Sequence, residues 1–310
     1  MSYTFKELTD GVRAVEIPDG GGFSSVFVVG SPRDALIVDT YCASTATELI
    51  ATLEAGGVRP GAVRAIVVTH GHEDHYGGAA ALTAWSGAPV WAHLSAATQI
   101  EDPAGYFVSP AAWVENSKPG DWEAFRERCG QGARVARILR EDDEIEHAGL
   151  RFRVLHAPGH DRGELVLHEP ARKLVFTGDL IQGGMDASKN WLGLFTDAAG
   201  QRRSLARVRE LAPEWNFKGH RAARHGAELL RDLESAVKRA ADIEAAALQA
   251  LAARTPRGLA EITREVMRRV LGMDVAEAPN YATVSVLAFL LDLGRRGVVR
   301  RTQAGEWVPG

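Results

Sequence analysis

The 310-residue chain reads as a mixed α/β (α+β) protein with a sheet-rich front part and a helical tail. Three observations predict this. Short β-branched runs punctuated by Gly, Pro and Asp recur over the first two-thirds. A polar turn crowded with histidine, THGHEDHYGG, interrupts them at residues 69–78. After His220 the chain changes to long stretches rich in Ala, Leu, Glu and Arg with helical spacing. The length exceeds what one ordinary small domain needs, so one large and one small domain are expected.

In chain order, VRAVEIP, SSVFVVG and DALIVDT read as consecutive antiparallel strands. Residues 45–54 have helical spacing and stop at Gly56-Gly57. AVRAIVV is continuously apolar, the mark of a buried strand, and runs straight into the histidine turn. AAALTAW then reads as helix and APVWAH as strand. From residue 100 to 132 the periodicity is lost, in a segment holding Tyr106, Phe107, Trp113, Trp122 and Phe125. A long irregular stretch of this kind inside a compact domain reads as a lid or a mobile loop. Strands resume with RFRVLHAP, GELVLHEP and KLVFTGD, followed by a helix over 204–211 and the short FKGH run.

Residues 225–254 form a long helical pattern broken at Thr255-Pro256-Arg257-Gly258. The tail reads as helix (LAEITREVMRRVL), loop, helix (TVSVLAFLLDLGRRG) and terminal hairpin (GVVRRTQAGEWVPG), which is winged-helix order. A boundary near residue 222 divides a catalytic domain, 1–222, from a C-terminal helical, winged-helix-like domain, 223–310.

Composition narrows the class. Apolar residues make up 45% and charged residues 25%, an ordinary globular balance. The net charge of -4 exerts no general pull toward nucleic acid or an anionic membrane. No apolar run approaches a membrane helix, and MSYTFKELTD carries no signal-peptide pattern. Cys42 and Cys129 are too few for a disulfide framework. A cytoplasmic protein is the expectation.

The chemistry lies in His70-Gly71-His72-Glu73-Asp74-His75. Four potential ligands in six residues are costly to bury unless they are paired or hold a metal. Imidazole with carboxylate suits zinc and related divalent ions rather than soft thiolate chemistry. Gly71 permits the tight turn, and Glu73 reads as a solvated side chain. His156 and His168 read as structural; His93, His147 and His225 read as surface residues.

THGHEDHYGG matches the HxHxDH signature of the metallo-β-lactamase superfamily, which this chain resembles. APGHDRGELVL is similar to that family's second block and supplies His160. LVFTGDL is similar to the third and supplies Asp179, and FKGH to the fourth, supplying His220. The resemblance spans residues 10–225. It implies an αββα sandwich with the site at one edge. It also implies two divalent metal ions, zinc in the first place and iron or manganese otherwise. His70, His72 and His160 would hold one ion, Asp74, His75 and His220 the other, and Asp179 would bridge them.

Such a centre makes hydroxide available near neutral pH and stabilises a developing oxyanion. Asp74 is the candidate catalytic residue, orienting the nucleophile and passing on its proton. The first reading is hydrolysis of a small acyl substrate: a thioester, ester or lactone. Lys189, Asn190, Trp191 and Trp113 are its candidate substrate contacts. The second is endoribonuclease action, prompted by the domain order. It is weakened by the acidic balance and by Gly219-His220-Arg221-Ala222 where a similar endoribonuclease has Gly-His-Gly-Pro. A persulfide dioxygenase using one iron is a minor alternative. A DNA-binding regulator is disfavoured, because TVSVLAFLLDLG is apolar almost all round where a groove reader needs polar and basic groups. That apolar helix makes a homodimer conceivable.

Overall fold

The computed structural model describes residues 3–19, 22–115, 121–182, 191–252 and 255–310. The first sheet takes its seven strands in chain order: β1 (Thr4–Thr9), β2 (Val12–Asp19), β3 (Gly22–Ser31), β4 (Asp34–Val38), β5 (Val63–Val67), β6 (Val90–His93) and β7 (Val135–Leu139). Strands β1 to β4 are antiparallel and β4 to β7 parallel. The second sheet contains β8 (Glu144–His147), β9 (Leu150–His156), β10 (Leu165–Glu169), β11 (Leu174–Gly178), β12 (Trp215–Lys218) and β13 (Arg224–His225). Its spatial order is β13-β12-β11-β10-β9-β8, with only the β11–β12 pair parallel.

Burial explains the strand sequences. In β5, VRAIV, every residue except Arg64 is buried, and β10 and β11 are buried throughout. Both faces of these strands are covered, so alternation gives way to continuous apolar runs. Phe27, Val29, Leu36 and Val67 of the first sheet meet Phe152, Leu165, Phe176 and Phe217 of the second. Phe27 packs edge-on against Phe176, ring centroids 5.4 Å apart.

The outer face of the first sheet (Val26, Val28, Ile37, Ile66) is covered by α1 (Ala46–Ala55) and α3 (Ala79–Ser86), among others. Between β5 and α3 lies the single turn α2 (Glu73–Tyr76). Leu155, Val166 and Val175 on the outer face of the second sheet pack against α8 (Ala198–Glu210) and the start of α9 (Ala227–Leu251). Helix, sheet, sheet, helix is the expected αββα sandwich.

The segment expected to be irregular is helical. It folds as α4 (Leu94–Glu101), α5 (Pro103–Phe107), α6 (Pro110–Glu115) and α7 (Trp122–Cys129). Tyr106 and Phe125 are buried in the outer core with Ile100 and Cys129. Phe107 packs against Trp122 and Phe125, with centroids 5.1 and 5.3 Å away. These aromatics therefore pack the protein's own core. Each helix is too short to display a period, and Pro103 and Pro110 each open a new one.

At the other end, the second half of α9, α10 (Leu259–Leu271), α11 (Asn280–Arg295) and the hairpin β14 (Val299–Arg301)–β15 (Trp307–Pro309) share a core. Ile243, Ala247, Ile262, Met267, Phe289 and Trp307 belong to it, as do Leu192, Phe195 and Ala198 from the chain before and at the start of α8. Most of the apolar surface of α11 is thus covered within the chain, and Leu291 remains exposed. An ion-pair network crosses this region. Arg202 of α8 pairs with Asp292 of α11 and, at 2.8 Å, with Glu244 of α9. Arg296 joins the same two acids at 3.1 and 2.8 Å. Arg207 pairs with Glu141 at 2.6 Å. Arg202 and Arg207 are therefore committed to these partners. Among the described residues, no helix is long and apolar enough to cross a membrane.

Candidate metal centre

All seven residues singled out as ligands converge where β5, β11 and β12 end. β5 delivers His70, and the chain then bends into α2, which carries Asp74 and His75. His160 follows β9, Asp179 follows β11, and His220 follows β12. Parallel pairing of β11 with β12 brings the last two together. Gly219 is required at this crossing, because a Cβ there would run into the His75 ring and, at 2.7 Å, Asp179 Oδ1.

The donors form two groups joined by Asp179. In the first, His72 Nδ1 lies 3.1 Å from His70 Nε2 and 2.9 Å from His160 Nε2. In the second, His220 Nε2 lies 3.4 Å from Asp74 Oδ2 and 3.2 Å from Asp179 Oδ2. Asp179 also approaches His75 Nε2 at 3.7 Å and His160 Nε2 at 3.8 Å. Three sets of donor atoms therefore come within metal-sharing distance: His70, His72 and His160; Asp74, His75 and His220; and His70, His75 and Asp179.

These residues fit divalent cations. Ligands at the usual zinc–nitrogen distance on a tetrahedron lie about 3.3 Å apart, close to the spacing of the first group. His75 Nε2 is buried with no hydrogen-bond partner among the described residues, although such nitrogens are normally satisfied.

The other ring nitrogens are held from behind. His75 Nδ1–H donates to Asp39 Oδ2 at 2.9 Å. Asp39 also accepts from Thr69 N–H at 2.8 Å and from the Thr69 hydroxyl at 2.9 Å. That hydroxyl lies 3.1 Å from His70 Nδ1, so Asp39 supports histidines of both groups. His160 Nδ1–H donates to the Leu194 carbonyl at 3.0 Å. The Ser24 hydroxyl donates to Asp19 at 3.1 Å and lies 2.9 Å from His220 Nδ1. These partners turn Nε2 of His70, His75, His160 and His220 toward the centre.

The electrostatics divide in the same way. Burial, with the neighbouring histidines, pulls His70 well below its ordinary pKa. Burial and His72 take His160 down to about 4. Burial also opposes charge on His75, but Asp39 and Asp179 outweigh it and raise the ring to about 9. For Asp74, burial is outweighed by His220, His75 and Arg128, which hold the carboxyl well below its usual range. Glu164 is the reverse. Fully buried near Asp179 and Asp161, it is pushed well above the carboxylate range. One of its oxygens accepts Asp179 N–H at 3.0 Å and lies 3.5 Å from His70 Nδ1.

A cavity of about 630 Å³ opens on these groups. Phe23, Ile181, Trp191 and Leu194 form its apolar part. Trp191 is stacked on Tyr281 of α11, centroids 4.0 Å apart. Lys189 and Asn190 lie outside the described residues, as does the side chain of Trp113, whose backbone is in α6. From residues 100–132, Arg128 reaches the cavity. It pairs with Glu73 at 3.0 Å, so Glu73 is engaged and not simply solvated. His147 is buried, 3.1 Å from the Asp34 carbonyl, rather than on the surface. His225 is exposed against Trp215.

Asp39, Glu164, Gln182 and Arg128 were not anticipated. For Asp39 a signal existed: an acid closing the apolar run DALIVDT must be paired if buried. The others are set by folding alone.

Relatives share part of this chain. An acyl-coenzyme A thioesterase (MBLAC2) of Gallus gallus is 31% identical over 176 residues, 54% of this chain and 60% of the relative. Its Homo sapiens counterpart is 26% identical over 197 residues, 59% of this chain and 67% of that protein. This chain thus spans about three-fifths of the avian relative's length. Among solved structures, a metallo-beta-lactamase family protein from Thermus thermophilus superposes with a TM-score of 0.77 at 22% identity. That match covers 98% of this chain and all of the other, and it bears on the fold. The family model for the metallo-beta-lactamase superfamily matches residues 19–220, the stretch that holds every donor described above, and the chain belongs to that superfamily.

Proposed function

We propose that this protein is a metal-dependent hydrolase of small acyl substrates, and of acyl thioesters before esters or lactones. The observation that carries the reading is a three-imidazole group and an imidazole–carboxylate group, with Asp179 within reach of both, beneath a cavity with an apolar wall. A cavity of about 630 Å³ suits a small organic substrate. The names of the avian and human relatives favour the thioester. Two of the four arginines of α8, Arg202 and Arg207, are engaged with Glu141, Glu244 and Asp292, which disfavours the endoribonuclease reading.

His70, His72 and His160 would hold one divalent cation, and Asp74, His75 and His220 a second, with Asp179 between them. When bound, two such ions supply Lewis acidity and lower the pKa of water toward neutrality; zinc suits this donor set. Asp74, kept ionised and lining the cavity, orients the attacking water and takes its proton at a carboxylate oxygen. Ile181, Trp191 and Leu194 receive the acyl chain and exclude water from it. Asp39 and the Leu194 carbonyl keep the imidazoles aimed while charge develops at the substrate oxygen.

His72→Ala and Asp179→Ala should each take hydrolysis of an acyl thioester to background while the far-ultraviolet circular dichroism is retained. Full activity in protein stripped of metal would overturn the proposal.

A further inference from the structure

β12 leads through Gly219 and His220 into Arg221, and this strap is stitched to β3. Ser25 N–H donates to the Gly219 carbonyl at 2.8 Å, and Arg221 N–H donates to the Phe23 carbonyl at 2.7 Å. Ser24 and His220 form an antiparallel bridge between them. The stitching holds Arg221 at φ 67°, in the left-handed region. A side chain there carries a steric cost that glycine avoids, so a bulky residue at such a position calls for a reason.

The surroundings of the guanidinium supply one. Arg221 lines the same cavity as the donors, together with the cations Arg128 and Lys218. Arg128 is committed to Glu73 at 3.0 Å and Asp74 at 3.7 Å. Lys218 is buried on Asp232 at 2.7 Å. Arg221 makes no side-chain hydrogen bond or ion pair among the described residues. Position along the chain also orders the cavity. Arg221 adjoins His220, in the group with Asp74 and His75. Leu194, part of the apolar wall, is bonded to His160 in the other group. A substrate spanning both groups with its acyl end near Leu194 would have its thiol end near Arg221 and Phe23.

We propose that Arg221 anchors the anionic part of the leaving thiol. The preferred substrates are then acyl thioesters whose thiol carries phosphate or carboxylate groups. A guanidinium offers paired N–H donors to either group. The inference rests on the thioesterase reading above. In the reaction the oxygen of water bonds to the acyl carbon and the C–S bond breaks. The sulfur leaves with the bonding electrons and is protonated, and the carboxylic acid is the other product.

The test uses the full-length, metal-loaded protein and three hexanoyl thioesters. Coenzyme A supplies phosphates, glutathione supplies carboxylates, and N-acetylcysteamine is an uncharged thiol. The parent protein should favour at least one charged thioester over the neutral one in kcat/KM. Arg221→Gln and Arg221→Gly should lower that ratio by about tenfold or more, through KM, as expected for loss of a hydrogen bond to a charged group. Arg221→Lys should retain part of it. Arg221→Gly also relieves the left-handed backbone, so it should melt no lower than the parent, which separates lost anchoring from lost folding. The charged substrate that loses its advantage identifies the anion. Equal kcat/KM for all three in the parent, or ratios unchanged in the glutamine and glycine variants, would overturn the anchor and leave the thioesterase reading standing. Failure to hydrolyse any of the three would overturn that reading and the anchor with it.

Discussion

Asp39 reaches two histidines from one carboxylate, directly at His75 and through the Thr69 hydroxyl at His70. Converting it to Asn keeps the size but removes the charge and one acceptor oxygen. Asp39→Asn should weaken metal binding by roughly 10–100-fold, the usual cost of losing a ligand's supporting partner. Competition titration with a chromophoric chelator measures this. The proton inventory gives a second expectation. In the metal-free protein His75 titrates at about 9, so at pH 7 it holds a proton that a cation must displace. His160, at about 4, is already neutral there. Binding at the Asp74–His75–His220 group should therefore release protons at pH 7, and its affinity should climb from pH 7 to 9. The His70–His72–His160 group should change far less. Calorimetry in buffers of different ionisation enthalpy reads both, and pH-independent binding at the two groups would refute the assignment.

At the scale of elements, α11 acts on the centre without contributing a ligand. Its Ser285 hydroxyl accepts Phe195 N–H at 3.0 Å and reaches the Gly193 carbonyl at 2.7 Å. Between those residues, Leu194 is clamped by Gln182, whose side chain donates to its carbonyl at 2.7 Å and accepts from its N–H at 3.0 Å. That same carbonyl accepts the hydrogen bond from His160 Nδ1–H. Ser285→Ala leaves buried backbone groups without their partner and should cost on the order of 1–3 kcal/mol. Denaturant titration gives the stability. Weakened metal binding at the His70–His72–His160 group in the same variant would show that the clamp extends to the site.

At the scale of the whole molecule, the candidate ligands are drawn from chain positions as far apart as His70 and His220, and beyond the 70–75 turn every contact between them is long-range. The cations would bind the folded chain and not the unfolded one, so they stabilise by mass action. At free metal 100 times the dissociation constant, one site contributes about 2.7 kcal/mol. Removing metal with a chelator should lower the melting temperature by about 5 °C per site, and adding zinc should restore it. A melting curve indifferent to chelator would count against a structural coupling of the centre to the fold. We propose that residues 223–310 buttress the 191–196 segment. The apolar core joining Leu192 and Phe195 to α9, α10 and α11 supports that assignment.

Strand and helix types were legible wherever a segment was long enough to show its period. β2 to β5, β9 to β11 and α10 fall on the runs read for them, because burial on one or both faces writes directly into residue order. The donor residues were legible for a different reason: six residues dense in imidazole and carboxylate have few uses other than ligation. Where neither condition held, tertiary structure decided. The helices α4 to α7 are too short to carry a period and take their shape from packing on the first sheet. Glu164, Gln182 and Arg128 are ordinary in isolation. They gain their roles only because sheet pairing and helix packing bring distant segments within hydrogen-bonding reach of the histidines, and spacing along the chain does not encode that proximity.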